Sequence, residues 1–378
     1  MSNSGPNSSI NDPEVEGIED GASDGWGDYP LDAVFVRTET RSVSEVVKRI
    51  EHKRYVLDPD FQRDFVWPNQ KQSKLIESCI MRIPLPVFYV AEAPDGRIIV
   101  VDGLQRLTTF ARFLGNQFRL SGLASGENRT GSHALEGKNF SDLPLNLQER
   151  VQDTQLTMYI LDAKAPERAR LDIFERVNSG EPLTRQQMRN ALYNGAATIW
   201  LKEAAEGDAF RSATGQTLNP KTMRDREAIN RFCAFNLLGP QRYTTGDMDG
   251  FLADGLNKLA SLSDRERKKL RQSFDSVMAL NRKLFGDHAF RKSLASTDPS
   301  PGRTVINISL FEVCAVTMVA FLDASLSARV EQRLHDAVVS LFDDADFVRS
   351  ITYSTNSTLA VRNRFAAMKA AVGKAVPL

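Results

Sequence analysis

Cysteine appears only three times in 378 residues, as Cys79, Cys233 and Cys314, with no CxxC pair and no histidine pair nearby. That scarcity argues against a disulfide framework and against a structural zinc site. Histidine is almost as rare: His52, His133, His288 and His335 are isolated from one another. None has the neighbours of a metal or nucleophile constellation, so each is read as a surface or packing residue. Nor does one sign of charge prevail, since Lys+Arg and Asp+Glu number 48 each. Binding to a polyanion such as DNA must therefore use a local basic face. No run approaches the roughly 18 apolar residues that cross a bilayer. The N-terminus also lacks the basic-then-apolar order of a secretory signal. A cytoplasmic protein without a membrane partner is expected.

What the chain does have is ordinary globular material, 42% hydrophobic and 25% charged, enough for two domains. Residues 1–30 hold seven acids and no Lys or Arg among Ser, Asn and Gly. They carry too little apolar surface to offset chain entropy and are expected to be a disordered acidic tail. Order should begin near Leu31. Ser42-Val43-Ser44-Glu45 has capping-box spacing ahead of Val46, Val47 and Ile50, which predicts a short helix.

Leu57 to Pro68 contains two prolines and is expected to be extended, as a loop or edge strand. From Asn69, Leu75, Ile76, Cys79 and Ile80 repeat with helical period until Pro84 and Pro86 stop them before Val87-Phe88-Tyr89-Val90. Pro94-Asp95-Gly96 is a turn, and Ile98 to Val101 is a short β-branched apolar run, so these two strands should form a hairpin. The second strand ends on Asp102-Gly103, after which Leu107, Phe110, Ala111 and Leu114 return to helical period. Residues 121–139 hold four glycines and should contain little regular structure. A strand at 156–161 and a helix from Pro166 to Val177, closed by Asn178-Ser179-Gly180, follow.

Beyond Thr184 strand signals nearly vanish. Amphipathic stretches lie near 185–206, 224–238, 247–260, 264–284, 305–322, 327–343 and 357–373. The expected fold class is thus α+β and mostly helical: a small mixed α/β module at 31–182, then an all-α domain at 183–378.

Chemistry concentrates in Asp102-Gly103-Leu104-Gln105-Arg106, between a buried strand and a helix start. Backbone N–H groups and the helix dipole favour a phosphate there, and Gly103 lets a ligand approach the backbone. Arg106 can fork onto phosphate oxygens, Gln105 can orient a water or a base, and Asp102 can hold a metal ion, with Mg2+ expected, or anchor Arg106. By itself the pentapeptide also fits a tight turn with an ion pair.

Three ordered segments carry a resemblance. Phe61-Gln62-Arg63-Asp64-Phe65-Val66-Trp67 is similar to an FQRxYxW motif. Val101-Asp102-Gly103-Leu104-Gln105-Arg106-Leu107-Thr108-Thr109 is similar to DGQQR-LTT. Phe174-Glu175-Arg176-Val177-Asn178-Ser179-Gly180-Glu181-Pro182-Leu183-Thr184, continuing to Arg189-Asn190-Ala191-Leu192-Tyr193, is similar to F-x-R-[IV]-N-xG-x-x-L-[ST]. Over roughly residues 40–200 the chain resembles the GmrSD-type N-terminal domain of modification-dependent restriction systems, placed in the ParB/sulfiredoxin-like superfamily. The resemblance implies a nucleoside triphosphate as substrate or ligand, with hydrolysis coupled to recognising or cutting foreign DNA. It carries nucleotide contact onto Gln62, Arg63, Gly103, Arg106, Asn178, Arg189 and Asn190, and catalysis onto Asp102, Gln105 and Arg106. Asn178-Ser179-Gly180 also suits a plain helix cap.

Leu104 departs from the family by standing where the first Gln is usual. A Gln that orients water makes its loss slow hydrolysis; a Gln that merely packs makes the change neutral. The His-Asn-His nuclease domain of full-length relatives is absent, so DNA cleavage would need carboxylates of the N-terminal domain or a separate nuclease subunit. Of three basic stretches, Lys221 to Arg231, Arg265 to Arg271 and Arg362 to Arg364, the middle one sets five bases against one acid. All three suit solvated helix faces; in the middle one, alternatively, Arg265, Arg267, Lys268, Lys269 and Arg271 lie along a DNA backbone. Trp67 and Trp200 are read as packing aromatics. The expected function is a triphosphatase of a restriction or phage-defence system, with nicking as an added activity; the alternative is a non-catalytic, nucleotide-switched module that recruits a partner.

Overall fold

The computed structural model describes residues 15–18, 36–57, 67–93, 95–123, 133–177, 184–193, 195–298, 302–322 and 326–376. The chain divides into two units: 23–183 with 187–192, and 1–22 with 184–186 and 193–378. The first strand, β1 (Val15–Glu16), belongs to the second of these.

The α/β unit runs β2 (Val36–Ser42), α1 (Val43–Glu51), β3 (Tyr55–Val56), α2 (Asn69–Ile80), β4 (Phe88–Glu92), β5 (Ile98–Asp102), α3 (Leu104–Leu114), α4 (Leu145–Gln152), β6 (Gln155–Leu161) and α5 (Glu167–Val177). Its sheet has the order β2-β6-β4-β5-β3. The expected hairpin is present: β4 and β5 pair antiparallel, with the register shifting between Tyr89 and Val90. β6 lies parallel to β4 and antiparallel to β2, and β3 lies parallel to β5. Strand period 2 sends Phe88, Val90, Val100, Met158 and Ile160 to one face, where they form a core with Val46, Ile76, Leu107 and Phe110 from the helices. Ser42 caps α1 as its spacing predicts, its hydroxyl accepting from the Glu45 N–H at 3.2 Å.

Strand β2 had no sequence signal because it is an edge strand without apolar alternation. Its exposed positions are Val36, Thr38 and Thr40, and between and after them stand Arg37, Glu39, Arg41 and Ser42. Arg37 pairs with Glu39 at 3.0 Å and Glu92 at 2.8 Å, and Arg41 pairs with Glu45 at 3.1 Å. Charges on an edge strand oppose pairing with other chains. Of the extended stretch Leu57–Pro68, residues 58–66 lie outside the described residues, as do 124–132 of the glycine-rich excursion.

The other unit is helical: α6 (Arg185–Leu192, whose last six residues group with the α/β unit), α7 (Ala196–Ala205), α8 (Asp208–Thr214), α9 (Arg224–Leu238), α10 (Met248–Ser261), α11 (Asp264–Phe285), α12 (Ile308–Met318), α13 (Ala328–Ser340), α14 (Ala345–Ser350) and α15 (Thr358–Ala375). The fold class is therefore α+β and mostly helical. The amphipathic stretch at 185–206 holds two helices, one ending at Leu192 and the next starting at Ala196. Phe210, Phe232, Phe274 and Phe311 interlock at its centre, with Phe232 and Phe274 at 5.0 Å between centroids. No helix among the described residues is long and apolar enough to cross a membrane.

Two expectations are corrected here. Within the acidic segment read as disordered, Val15–Ile18 is ordered. β1 pairs in parallel with β7 (Ile306–Asn307), Glu16 bonds Lys292, and the Gly17 carbonyl accepts from Thr355 Oγ1 at 2.9 Å. Val15 and Ile18 supply the apolar contact that composition averaging hid. The basic stretches at 221–231 and 362–364 are not simply solvated faces either. Arg224, Arg226, Arg231 and Arg364 are buried, and Glu312, wholly buried, binds both Arg231 and Arg364.

Candidate functional site

Strand β5 delivers Asp102 to the edge of the sheet, and Gly103 turns the chain into α3 at φ +104°, ψ 8°. That left-handed conformation favours glycine. Space demands it as well: a Cβ there would fall 2.3 Å from Phe88 Cδ1. As a cap, Gly103 has no side chain to accept from the first turn of α3.

Arg106 lies one turn into α3, its side chain 11% exposed. Nη2 donates to Asp102 Oδ2 at 2.9 Å and to the Val87 carbonyl at 3.1 Å, and Nη1 donates to the Pro86 carbonyl. The guanidinium rests on the Phe88 ring at 4.1 Å from its centroid. Burial lowers the Arg106 guanidinium below its usual pKa, and the Asp102 carboxylate opposes that shift. Arg106 thus ties the start of α3 to the lead-in of β4. Asp102 keeps 34% of its side chain exposed.

Gln105 Oε1 accepts from the Trp67 N–H at 3.3 Å, which joins the end of the first motif to the second. The Trp67 carbonyl accepts from Gln72 Nε2 at 2.9 Å, and Gln72 Oε1 accepts from Arg112 at 3.3 Å. Leu104 is partly buried and packs on the apolar core. Trp67 packs there too, under Lys71. Arg189 and Asn190 are buried on α6, 1% and 2% exposed. Gln62, Arg63 and Asn178 lie outside the described residues.

On α11, Arg267 donates to the Ala260 carbonyl at 3.2 Å and pairs with Asp264, and Arg271 Nε donates to both Asp275 oxygens at 3.0 Å. Arg265, Lys268 and Lys269 are exposed. Trp200 is a packing residue whose Nε1 donates to the Arg267 carbonyl at 3.1 Å. No group of three or more His, Cys, Asp or Glu among the described residues could hold a metal ion. The three cysteines are free and buried; burial pushes the Cys79 thiol up to about 11 and raises Cys233 and Cys314 further, so none is a ready nucleophile. The sequence reading passed over Tyr89 and Tyr159, whose rings stack at 5.4 Å beside Asp102's strand. No local signal marks them, since only the pairing of their strands brings them together.

A mixed sheet that presents an acid and a left-handed glycine to a helix start defines an α/β unit with a candidate anion site at that turn. Residues 43–194 match the family model described as GmrSD restriction endonuclease, N-terminal domain. That family suggests a restriction or phage-defence role. Comparisons with curated proteins and with solved structures found no match.

Proposed function

We propose that the protein is a nucleoside triphosphate-binding, DNA-targeting component of a restriction or phage-defence system, with the triphosphate at the Asp102–Arg106 turn. The observation that carries this reading is Gly103. It is a glycine cap leading an eleven-residue helix beside a part-exposed carboxylate, all inside the family segment. The first-turn N–H groups of α3 and the helix dipole would hold phosphate oxygens. Arg106, whose Nη donors already face Asp102 and two carbonyls, would build the turn and add positive charge behind it. Asp102 alone suits Mg2+ arriving with the phosphates, since that ion is commonly held by one or two carboxylates plus substrate phosphates. Gln105 would orient water or base from its place beside Trp67. Arg265, Lys268 and Lys269 are the α11 residues best placed to meet a DNA backbone. Arg267 and Arg271 contribute less, being paired locally.

Leu104 supports a second reading, in which the nucleotide acts as a switch and a separate nuclease subunit cuts. A leucine packed on the core orients no water. Phosphate release by the purified protein with each triphosphate, with and without modified DNA, separates the two readings. DNA-stimulated release supports the triphosphatase. Binding without release supports the switch, and neither binding nor release removes both.

A further inference from the structure

Strand register places four residues in one row across the sheet: Thr38 on β2, Tyr159 on β6, Tyr89 on β4 and Asp102 on β5. Paired residues on adjacent strands share a face, so Tyr89, Tyr159 and Asp102 stand together on the face opposite Phe88. The Tyr89 and Tyr159 rings are 5.4 Å apart between centroids and inclined by 35°. They form a short stack whose neighbours on both sides, Asp102 and Thr38, are small.

A cross-strand aromatic pair can simply pack under a helix, and the neighbouring row does so. There Leu161, Ala91 and Ile99 are 3%, 0% and 2% exposed. Helix α5 packs on this strand group, and Arg170 donates to the Glu92 carbonyl at 3.0 Å, at the end of β4 away from Tyr89. One row further, cover falls away. Tyr89 and Tyr159 are half-buried, Thr38 is exposed, and the Asp102 side chain is 34% exposed. Arg106 does not fill the slot beside Tyr89, because its guanidinium lies over Phe88 on the other side of the strand.

We propose that Tyr89 and Tyr159 form the base ledge of this site: a nucleobase continues their stack over β5, on the open side of Tyr89. Asp102 Oδ2 is taken by Arg106. Stacking on an aromatic side chain tolerates any base. The inference rests on the nucleotide reading of the Asp102 turn. The base belongs either to a free nucleotide or to a DNA strand.

The test titrates wild type, Tyr89→Leu, Tyr89→Phe and Tyr159→Leu by calorimetry with each nucleoside triphosphate, with inorganic triphosphate and with a single-stranded oligonucleotide. The ledge predicts that Tyr89→Leu weakens nucleoside triphosphate binding by about tenfold or more, the range for one stacked base. It predicts unchanged affinity for inorganic triphosphate and near-normal behaviour of Tyr89→Phe. A loss confined to the oligonucleotide assigns the base to DNA and keeps the ledge. Equal loss for inorganic triphosphate, or no loss for any ligand that wild type binds, overturns it. Fluorotyrosine-labelled wild type gives a readout that does not depend on the leucine variant folding. Its Tyr89 resonance should shift with nucleotide and not with inorganic triphosphate, and a silent resonance under saturating nucleotide overturns the ledge. Wild type that binds no triphosphate and no oligonucleotide removes the nucleotide reading itself, and the ledge with it.

Discussion

At Gly103 two independent constraints meet. A side chain would force φ +104° on a residue type that resists it, and the added carbon would overlap Phe88. Gly103→Ala should therefore cost about 2–4 kcal/mol, combining backbone strain with displacement of a core ring. Urea unfolding measures this, and near-normal stability would show a turn that relaxes freely. Arg106 offers a sharper contrast between building a site and serving it. Arg106→Ala removes donors from two carbonyls and a carboxylate, so it should lower stability by about 2–3 kcal/mol. Arg106→Lys should not restore it, because a single ammonium cannot span the same fork. A folded alanine variant of full stability that had lost only nucleotide binding would instead make Arg106 a pure ligand residue. Leu104 packs on the core, so Leu104→Gln should lose about 1–3 kcal/mol by burying an amide, with no faster phosphate release. Faster release at unchanged stability would put that side chain in the site.

Among the elements, those with a local signal were legible and those made by distant partners were not. Ser42 and Glu45 announce α1, the prolines bound α2 and β4, and Asp102-Gly103 marks the start of α3. Strand β2 carries Arg, Glu and Thr because an edge needs charge more than apolar alternation. Strand β1 is two residues long, and only its pairing with Ile306–Asn307 defines it. The site was legible to the same degree. The turn could be read from sequence, whereas the row through Tyr89 and Tyr159 exists only once register is known. For β1, deletion of residues 1–18 should lower the melting temperature by a few degrees, about 2–4 °C per kcal/mol lost in a unit of this size. Deletion of residues 1–14 should leave it unchanged. Equal melting curves for both truncations would mean that β1 contributes nothing.

Across the whole molecule, charge is balanced in sum but arranged very differently by place. The helical unit encloses a chain of alternating charges. Arg224 and Glu227 lie at 3.1 Å, Glu227 and Arg231 at 3.8 Å, and Arg231 and Glu312 at 3.1 Å, with Arg364 on the far oxygen of Glu312. Arg231 and Arg364 are 81 and 52 residues from Glu312 in sequence, which is why their stretches read as surface basics. Glu312→Gln should cost about 3–5 kcal/mol, since it strips the shared counter-charge from two buried guanidiniums. A chemical melt within about 1 kcal/mol of wild type would show that water reaches them. The α/β unit instead spends its charge at the Asp102 turn. Calorimetric titration of wild type and Asp102→Asn with a nucleoside triphosphate and Mg2+ tests the account at its centre. The expected result is saturable binding by wild type that falls at least about tenfold in a stably folded Asp102→Asn, the loss expected for one charge-assisted contact. Absence of binding by wild type, or equal affinity in the two proteins, would contradict it.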